Sequence, residues 1–331
     1  MRALVQDEDS GELVLGEVPD LVPGPGQVLV TVHAAGVNRA DLLQREGRYP
    51  PPQGESPLIG LEVAGTVAGL GTDVTGWSIG DRVCALLPSG GYAEQVVVPA
   101  GLLMPVPERL SLQEAAGIPE TFLTAYLNLV TIAGLRAGET ALIHAGASGV
   151  GTSAIQIARE IGAVPIATVG SAAKAQACLD LGASTALVRT DGPFEPAVLT
   201  ATSGRGADVV LDPVGASSWE QNAACIAADG RWVVIGGLGG YDVTMNIRRL
   251  MQRRVQLTFS TLRSRSLQDK VALTAAFTEF GLDRLADGRL APIIDSVLGW
   301  QDAMTAHRRL EENRTTGKIV LAVDQRSEAV R

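Results

Sequence analysis

The residues best suited to chemistry in this chain are the glycines of Gly146-Ala147-Ser148-Gly149-Val150-Gly151, which follow a strand-length apolar run and open a helical pattern. A turn of this kind can bind a pyrophosphate. Glycines allow the tight bend, the approach of the anion to the backbone and close packing of helix on strand, while the first helical N–H groups offer free donors. The order is G-x-x-G-x-G rather than G-x-G-x-x-G, so a plain glycine-rich corner reads the same from this stretch alone. If a dinucleotide is held, the next strand end should tell which one. An acid about 20 residues beyond the turn would bond the ribose 2′-OH of NAD, but Thr168-Val169-Gly170-Ser171-Ala172-Ala173-Lys174 contains none. A small polar residue with a lysine suits a 2′-phosphate, which takes charge-assisted donors and is repelled by carboxylates. Gly170, Ser171 and Lys174 therefore predict NADPH. Ser171 also fits a helix cap and Lys174 a solvated first-turn cation. Arg189, closing a later apolar run, fits either a contact to the phosphate or adenine or an ordinary exposed strand end.

These residues need a frame. From Pro119 onward, strand-like runs at 140–145, 164–169, 185–189, 207–212, 231–236 and 254–260 alternate with helical patterns at 150–162, 171–181, 194–203 and 216–228. That rhythm predicts βαβ units and a parallel, doubly wound sheet with two mononucleotide-binding halves. Residues 1 to about 118 read instead as short strands such as Gln27–Ala34, Glu62–Val67 and Tyr92–Val98, broken by clusters such as Pro23-Gly24-Pro25-Gly26. A β-rich, barrel-like domain is expected there. After about 262 come a charged helix (Leu267–Asp287), a strand (Ile293–Val297), a helix (Gln301–Asn313) and a last strand (Lys318–Val323), too little to bury a core alone. This tail is expected to complete the first domain, giving 1–119 with 262–331 as one domain and 120–261 as the other. The last seven or so residues read as a frayed end.

Composition narrows the class. At 331 residues with 46% apolar content, the chain can bury two sizeable cores. No run approaches the roughly 18 apolar residues of a membrane helix, and acids occupy the N-terminal stretch where a signal peptide is apolar. A cytoplasmic protein is expected. A net charge of −9 without a long basic block argues against nucleic acid as partner. Cys84, Cys178 and Cys225, like His33, His144 and His307, lack metal-ligand spacing.

Several further stretches, Gly36-Val37-Asn38-Arg39-Ala40-Asp41, Gly60-Leu61-Glu62, Gly80-Asp81-Arg82-Val83, Gly91-Tyr92-Ala93-Glu94 and Gly317-Lys318-Ile319-Val320, occur in order with the glycine turn. Together they resemble the zinc-free quinone oxidoreductase branch of the medium-chain dehydrogenase/reductase superfamily. Ser218-Trp219-Glu220-Gln221-Asn222, Asp229-Gly230-Arg231-Trp232-Val233 and Leu262-Arg263-Ser264-Arg265 most resemble its p53-inducible, zeta-crystallin-like members. The resemblance implies an α/β protein: a GroES-like β-rich catalytic domain plus a Rossmann domain. Zinc enzymes of the superfamily carry a catalytic Cys where this chain has Gly36-Val37-Asn38 and a G-H-E triplet where it has Gly60-Leu61-Glu62. Without those ligands a tetrahedral zinc site is not expected.

What the resemblance leaves is direct hydride transfer from NADPH to a quinone or enone. It implies that Asn38 and Tyr49 polarise the acceptor carbonyl; read from their neighbours alone, Asn38 is a turn residue and Tyr49 a loop aromatic on prolines. It also implies that Thr124, Gly236, Gly237 and Leu238 line the nicotinamide and that Arg314 meets the 2′-phosphate end. Packing, a plain turn and a helix-end cation are their respective alternatives. Relatives often have Tyr where Arg189 stands. Glu62 is expected to pair with Arg82, with proton relay as its other role. The resemblance further implies a homodimer or homotetramer, with an edge strand at 255–260 as the pairing element. Two other readings stand beside the quinone reductase: an enoyl reductase acting on α,β-unsaturated thioesters and a non-catalytic NADPH-binding redox sensor.

Overall fold

The computed structural model describes residues 1–7 and 9–323, so the C-terminal end expected to fray lies outside the described residues. The chain divides into two compact units, Met1–Leu123 with Arg263–Arg331, and Thr124–Leu262.

The first unit begins with β1 (Arg2–Gln6) and β2 (Leu13–Glu17), an antiparallel pair. There follow β3 (Gln27–Gly36), helix α1 (Arg39–Arg45), β4 (Glu62–Leu70), β5 (Arg82–Leu86), β6 (Gln95–Pro99) and β7 (Leu103–Pro105), then helix α2 (Leu112–Ala115) and the first residues of α3 (Pro119–Tyr126), whose residues from Thr124 on belong to the second unit. Strand β3 is the organising element. Its alternation buries Val28, Val30, Val32 and Ala34 on one face, the period of two that a half-buried strand requires. Helix α1 went unread in the sequence because it has only seven residues, too few to show helical periodicity.

The second unit carries β8 (Thr140–Ile143), α4 (Gly149–Ile161), β9 (Val164–Val169), α5 (Ala172–Asp180), β10 (Thr185–Val188), α6 (Glu195–Ala201), β11 (Ala207–Asp212), α7 (Trp219–Cys225), β12 (Ile226–Val234), α8 (Ile247–Gln252) and β13 (Gln256–Phe259). All six strands pair in parallel in the order β10-β9-β8-β11-β12-β13. This is the doubly wound order whose switch point lies between β8 and β11, where dinucleotides bind. Strand β12 starts five residues before the expected run, because α7 ends at Cys225 and the chain re-enters the sheet with a register shift against β11. Trp232 is fully buried in the core of this unit, its ring 4.3 Å from that of Trp219 and its Nε1 donating to Asp212 Oδ2 at 3.1 Å.

The remaining elements, α9 (Leu267–Asp287), β14 (Ile294–Gly299), α10 (Ala303–Glu311) and β15 (Lys318–Ala322), return to the first unit. Strand β15 joins the first unit's sheet, antiparallel to β3 with Val320 opposite Gly36. Sheet order there is β14-β15-β3-β4-β5-β7, with β6 also paired to β3. Leu321, Trp300 and Ala306 thus share one core with Val30 and Val63. Removing a buried tryptophan leaves a large void, so Trp232→Ala is expected to cost about 3–5 kcal/mol in urea unfolding.

Candidate functional site

In the second unit, β8 runs into the glycine turn and α4 starts at Gly149. Ser148 caps that helix, accepting from the Gly151 N–H at 3.1 Å. The N–H groups of Ala147, Gly149 and Val150 take no acceptor among the described residues, the ordinary state of a first helical turn and a ready anion cradle. Gly151 cannot be anything larger: a Cβ there would stand 2.3 Å from the Ala145 carbonyl oxygen and 2.6 Å from that of Gly146. Beneath the turn lies a buried polar network that the sequence did not show. His144 Nε2 lies 2.7 Å from Asn222 Oδ1 and its Nδ1 2.8 Å from Thr168 Oγ1, while Asn222 Nδ2 donates to Asp212 Oδ2 at 3.0 Å. Because the Asn222 amide nitrogen is spent on Asp212, its oxygen accepts from His144 Nε2–H, and Nδ1 accepts from the Thr168 hydroxyl. Burial holds His144 below its ordinary pKa, which suits this neutral form. The ends of β8, β9 and β11 are thereby tied together under the turn.

The nucleotide-selecting residues gather at the ends of β9 and β10. Ser171 caps α5 by accepting from the Lys174 N–H, and a Cβ at Gly170 would lie 3.8 Å from Arg189 Nη2. Gly170, Ser171, Lys174 and Arg189 therefore share one corner, with Ser171 and Arg189 exposed. After β12 the loop carrying Gly236, Gly237 and Leu238 runs beside the end of β11. Leu238 N–H bonds the Pro213 carbonyl at 3.1 Å, and a Cβ at Gly236 would stand 3.0 Å from the Pro213 oxygen. Thr124 is buried in α3, its carbonyl accepting from Asn128 Nδ2 at 2.7 Å. Arg314 belongs to the first unit, exposed and paired with Glu312 at 3.1 Å.

The first unit holds the other half of the chemistry. Asn38 precedes α1, and its backbone N–H donates to Asp41 Oδ2 at 2.7 Å. The β3–β15 pairing carries Lys318 to its side chain: Lys318 Nζ donates to Asn38 Oδ1 at 2.6 Å and forms an ion pair with Glu62 Oε1 at 2.7 Å. Asn38 Nδ2 donates to the same Glu62 oxygen at 2.9 Å and has a longer contact of 3.4 Å to the Gly36 carbonyl. Glu62 is fully buried and Lys318 nearly so. The Glu62–Arg82 pair expected from the sequence does not form, because the β4–β5 register sets Arg82 opposite Thr66, and its guanidinium donates to the Leu110 carbonyl. Gly36 admits the carboxylate: a Cβ there would lie 2.3 Å from Glu62 Oε1.

Around this pair stand residues to which the sequence assigned no role. Glu120, in the first turn of α3, gives its backbone N–H to Glu62 Oε2 at 2.9 Å. Arg263 donates to the Tyr49 carbonyl at 2.9 Å, to the Pro88 carbonyl at 2.8 Å and to Gln44 Oε1 at 2.5 Å. Its guanidinium also lies 5.1 Å from the centre of the Tyr49 ring, a cation–π contact. Tyr49 is half-buried, and burial, followed by the nearby Glu120, raises its phenol above the ordinary value against the opposing pull of Arg263. Asp41 is fully buried; burial pushes its carboxyl up to about 7. Tyr92 Oη donates to it at 3.0 Å and is 3.3 Å from His307 Nε2, whose ring Arg45 reaches at 3.0 Å. Breaking a buried ion pair by removing one partner strands the other charge. Lys318→Met is therefore expected to lower stability in urea unfolding by about 3–5 kcal/mol.

Among the described residues no three His, Cys, Asp or Glu side chains come together to hold a metal ion, and no helix is long and apolar enough to cross a membrane. Residues 24–108 match the alcohol dehydrogenase GroES-like domain and residues 149–277 the zinc-binding dehydrogenase domain. The chain is 35% identical over 301 residues to a quinone oxidoreductase of Pseudomonas aeruginosa, with 90% of this chain and 92% of that protein covered. It is 33% identical over 309 residues to the phthioceranic/hydroxyphthioceranic acid synthase of Mycobacterium tuberculosis, covering 92% of this chain but spanning only 14% of that much longer protein. Among solved structures, an NAD-dependent alcohol dehydrogenase superposes with a TM-score of 0.88 at 33% identity, covering 98% of this chain and all of that one (100%). A mycobacterial protein complexed with NADPH gives 0.84 at 31% identity (97% and 100% covered), and the CurK enoyl reductase 0.86 at 27% (98% and 99%). With a GroES-like domain, an all-parallel doubly wound sheet and a full-length quinone oxidoreductase relative, the chain belongs to the medium-chain dehydrogenase/reductase family of oxidoreductases.

Proposed function

We propose that this protein reduces quinones or related conjugated carbonyls with NADPH, by direct hydride transfer. The observation that carries the reading is Tyr49, a half-buried phenol whose ring lies 5.1 Å from the Arg263 guanidinium, in the same unit as the buried Asn38–Glu62–Lys318 network. When bound, NADPH supplies a hydride from C4 of its nicotinamide ring. The residues present fit the cofactor: Arg189 over Gly170, Lys174 in the next helical turn and no acid in 168–174 favour a 2′-phosphate, and the Gly149 and Val150 amides suit a pyrophosphate. Thr124, Gly236, Gly237 and Leu238 are proposed to face the nicotinamide, and Arg314 to reach the phosphate end. Tyr49 donates a hydrogen bond to the acceptor carbonyl. Asn38, anchored by Glu62 and Lys318, offers the N–H now spent only on its long contact with Gly36. Preorganised donors at a carbonyl that gains negative charge need no rearrangement as the charge develops.

Substrate choice separates two readings. The likeness to the CurK enoyl reductase favours an α,β-unsaturated thioester as the second candidate, and steady-state NADPH oxidation against ortho- and para-quinones, enones and a short enoyl thioester tells them apart. The proposal expects the quinones or enones to turn over faster than the thioester. In that assay Asn38→Ala with Tyr49→Phe should reduce kcat on the order of 100- to 1,000-fold, and a parental rate would contradict the assigned roles. Lys174→Ala with Arg189→Ala should raise the KM for NADPH about ten- to a hundredfold while leaving that for NADH nearly unchanged, the loss expected of charge-assisted bonds. Assembly as a homodimer or homotetramer is supported by β13, the end strand of its sheet, where Phe259 is 68% exposed.

A further inference from the structure

Among the residues without a role so far, Glu120 stands apart. Its backbone N–H is fixed on Glu62 Oε2, so the start of α3 cannot drift from the Asn38–Glu62–Lys318 network. Its side chain behaves differently from the two other carboxyl groups there. Glu62 has both oxygens occupied, by Lys318 and Asn38 on one and by the Glu120 amide on the other, and Asp41 is sealed from solvent. Glu120 is a half-buried residue whose carboxyl is not engaged in any hydrogen bond or ion pair among the described residues. It lies close enough to the Tyr49 phenol for its charge to oppose ionisation of that group. A carboxyl that senses Tyr49 is thus tied through its own backbone to the network that anchors Asn38.

We propose, on the reading that this site reduces a conjugated carbonyl with NADPH, that Glu120 is a catalytic residue, the general acid that protonates the reduced acceptor. The electron pair arrives as hydride. The O–H bond of the Glu120 carboxyl then breaks, a new O–H bond forms on the acceptor oxygen, and the carboxylate takes its proton back from water. For a quinone, one hydride and one proton give the hydroquinone. Tyr49 does not fill this role, since its phenol is shifted away from neutral pH and a charged Glu120 shifts it further.

The electrostatics agree with the geometry. Burial, then the charge of Glu62, pushes the Glu120 carboxyl up to about 8, with Asp41 adding to the rise and Lys318 and Arg263 opposing it. Lys270 faces the same group, its own ionisation favoured by Glu120. The acid is therefore protonated at neutral pH and loses its proton as pH rises through about 8. A group matched to the working pH is what general acid catalysis requires.

Glu120→Gln keeps the hydrogen bond that the backbone N–H donates to Glu62 Oε2 and removes only the acidic proton. Expected is a kcat about a hundredfold lower at pH 7, loss of the parental decline in kcat above pH about 8, and partial recovery in Glu120→Asp. A Glu120→Gln enzyme with the parental kcat and the parental alkaline limb would overturn the proposal. The cofactor-free protein supplies the second readout. Infrared difference spectra of parent against Glu120→Gln should show a protonated carboxyl at pH 7 that titrates near 8, and a carboxyl already ionised at pH 7 would overturn the proposal without any turnover. A parent that oxidises NADPH with none of the acceptors, yet shows the infrared band, would instead refute the reductase reading and the catalytic role together, leaving the proton on Glu120 as measured.

Discussion

The candidate acceptor site hangs on one buried ion pair, Lys318 with Glu62. Two charges nearly or fully removed from water hold together because each ammonium proton and both carboxylate oxygens find partners. Lys318 also bonds Asn38 Oδ1 and the Val37 carbonyl, while Glu62 also takes Asn38 Nδ2 and the Glu120 amide. The pair joins residues more than 250 positions apart in sequence and fastens the C-terminal strand to β3, the start of α1 and the start of α3. Beside it, burial and then the charge of Glu62 raise the carboxyl of Glu120.

The second unit relies on a hydrogen-bonded counterpart. His144, Thr168, Asn222, Trp232 and Asp212 satisfy one another beneath the glycine turn, and Asp212 Oδ1 further accepts from the Val214 and Gly215 amides at 2.8 and 2.9 Å. Such a network has little tolerance for a missing member, because each buried group would be left without its partner. Its consequence is positional. The strand ends that carry the glycine turn, the Gly170–Lys174 corner and the loop after β12 are fixed relative to one another by side chains that touch no ligand themselves.

How much of this could be read in advance followed from the range of the interactions. The parallel sheet was legible because each strand and helix carries its own periodicity, and the glycine turn because its residues are contiguous. The corner of Gly170, Ser171 and Lys174 is local, whereas the approach of Arg189 to it depends on β9 and β10 lying side by side. Tail and head were expected to share a domain because the tail alone has no core. The true partner of Glu62 was not legible: Arg82 is nearer in sequence, but the β4–β5 register turns it toward Leu110, and only the β3–β15 pairing brings Lys318 in. Glu120 and Arg263 escaped for the same reason. Nothing in Pro119-Glu120 or Leu262-Arg263 announces a site until the fold sets both beside Tyr49.

The central claim is direct hydride transfer to an acceptor held by Tyr49 and Asn38. Its most direct test is a single-turnover stopped-flow measurement with a para-quinone, comparing NADPH with NADPH deuterated at the transferred C4 position. The account predicts slower oxidation of the deuterated cofactor, a difference that persists in Tyr49→Phe as both rates fall. Equal rates for the two cofactors across a range of quinone concentrations, with hydroquinone still formed, would contradict it.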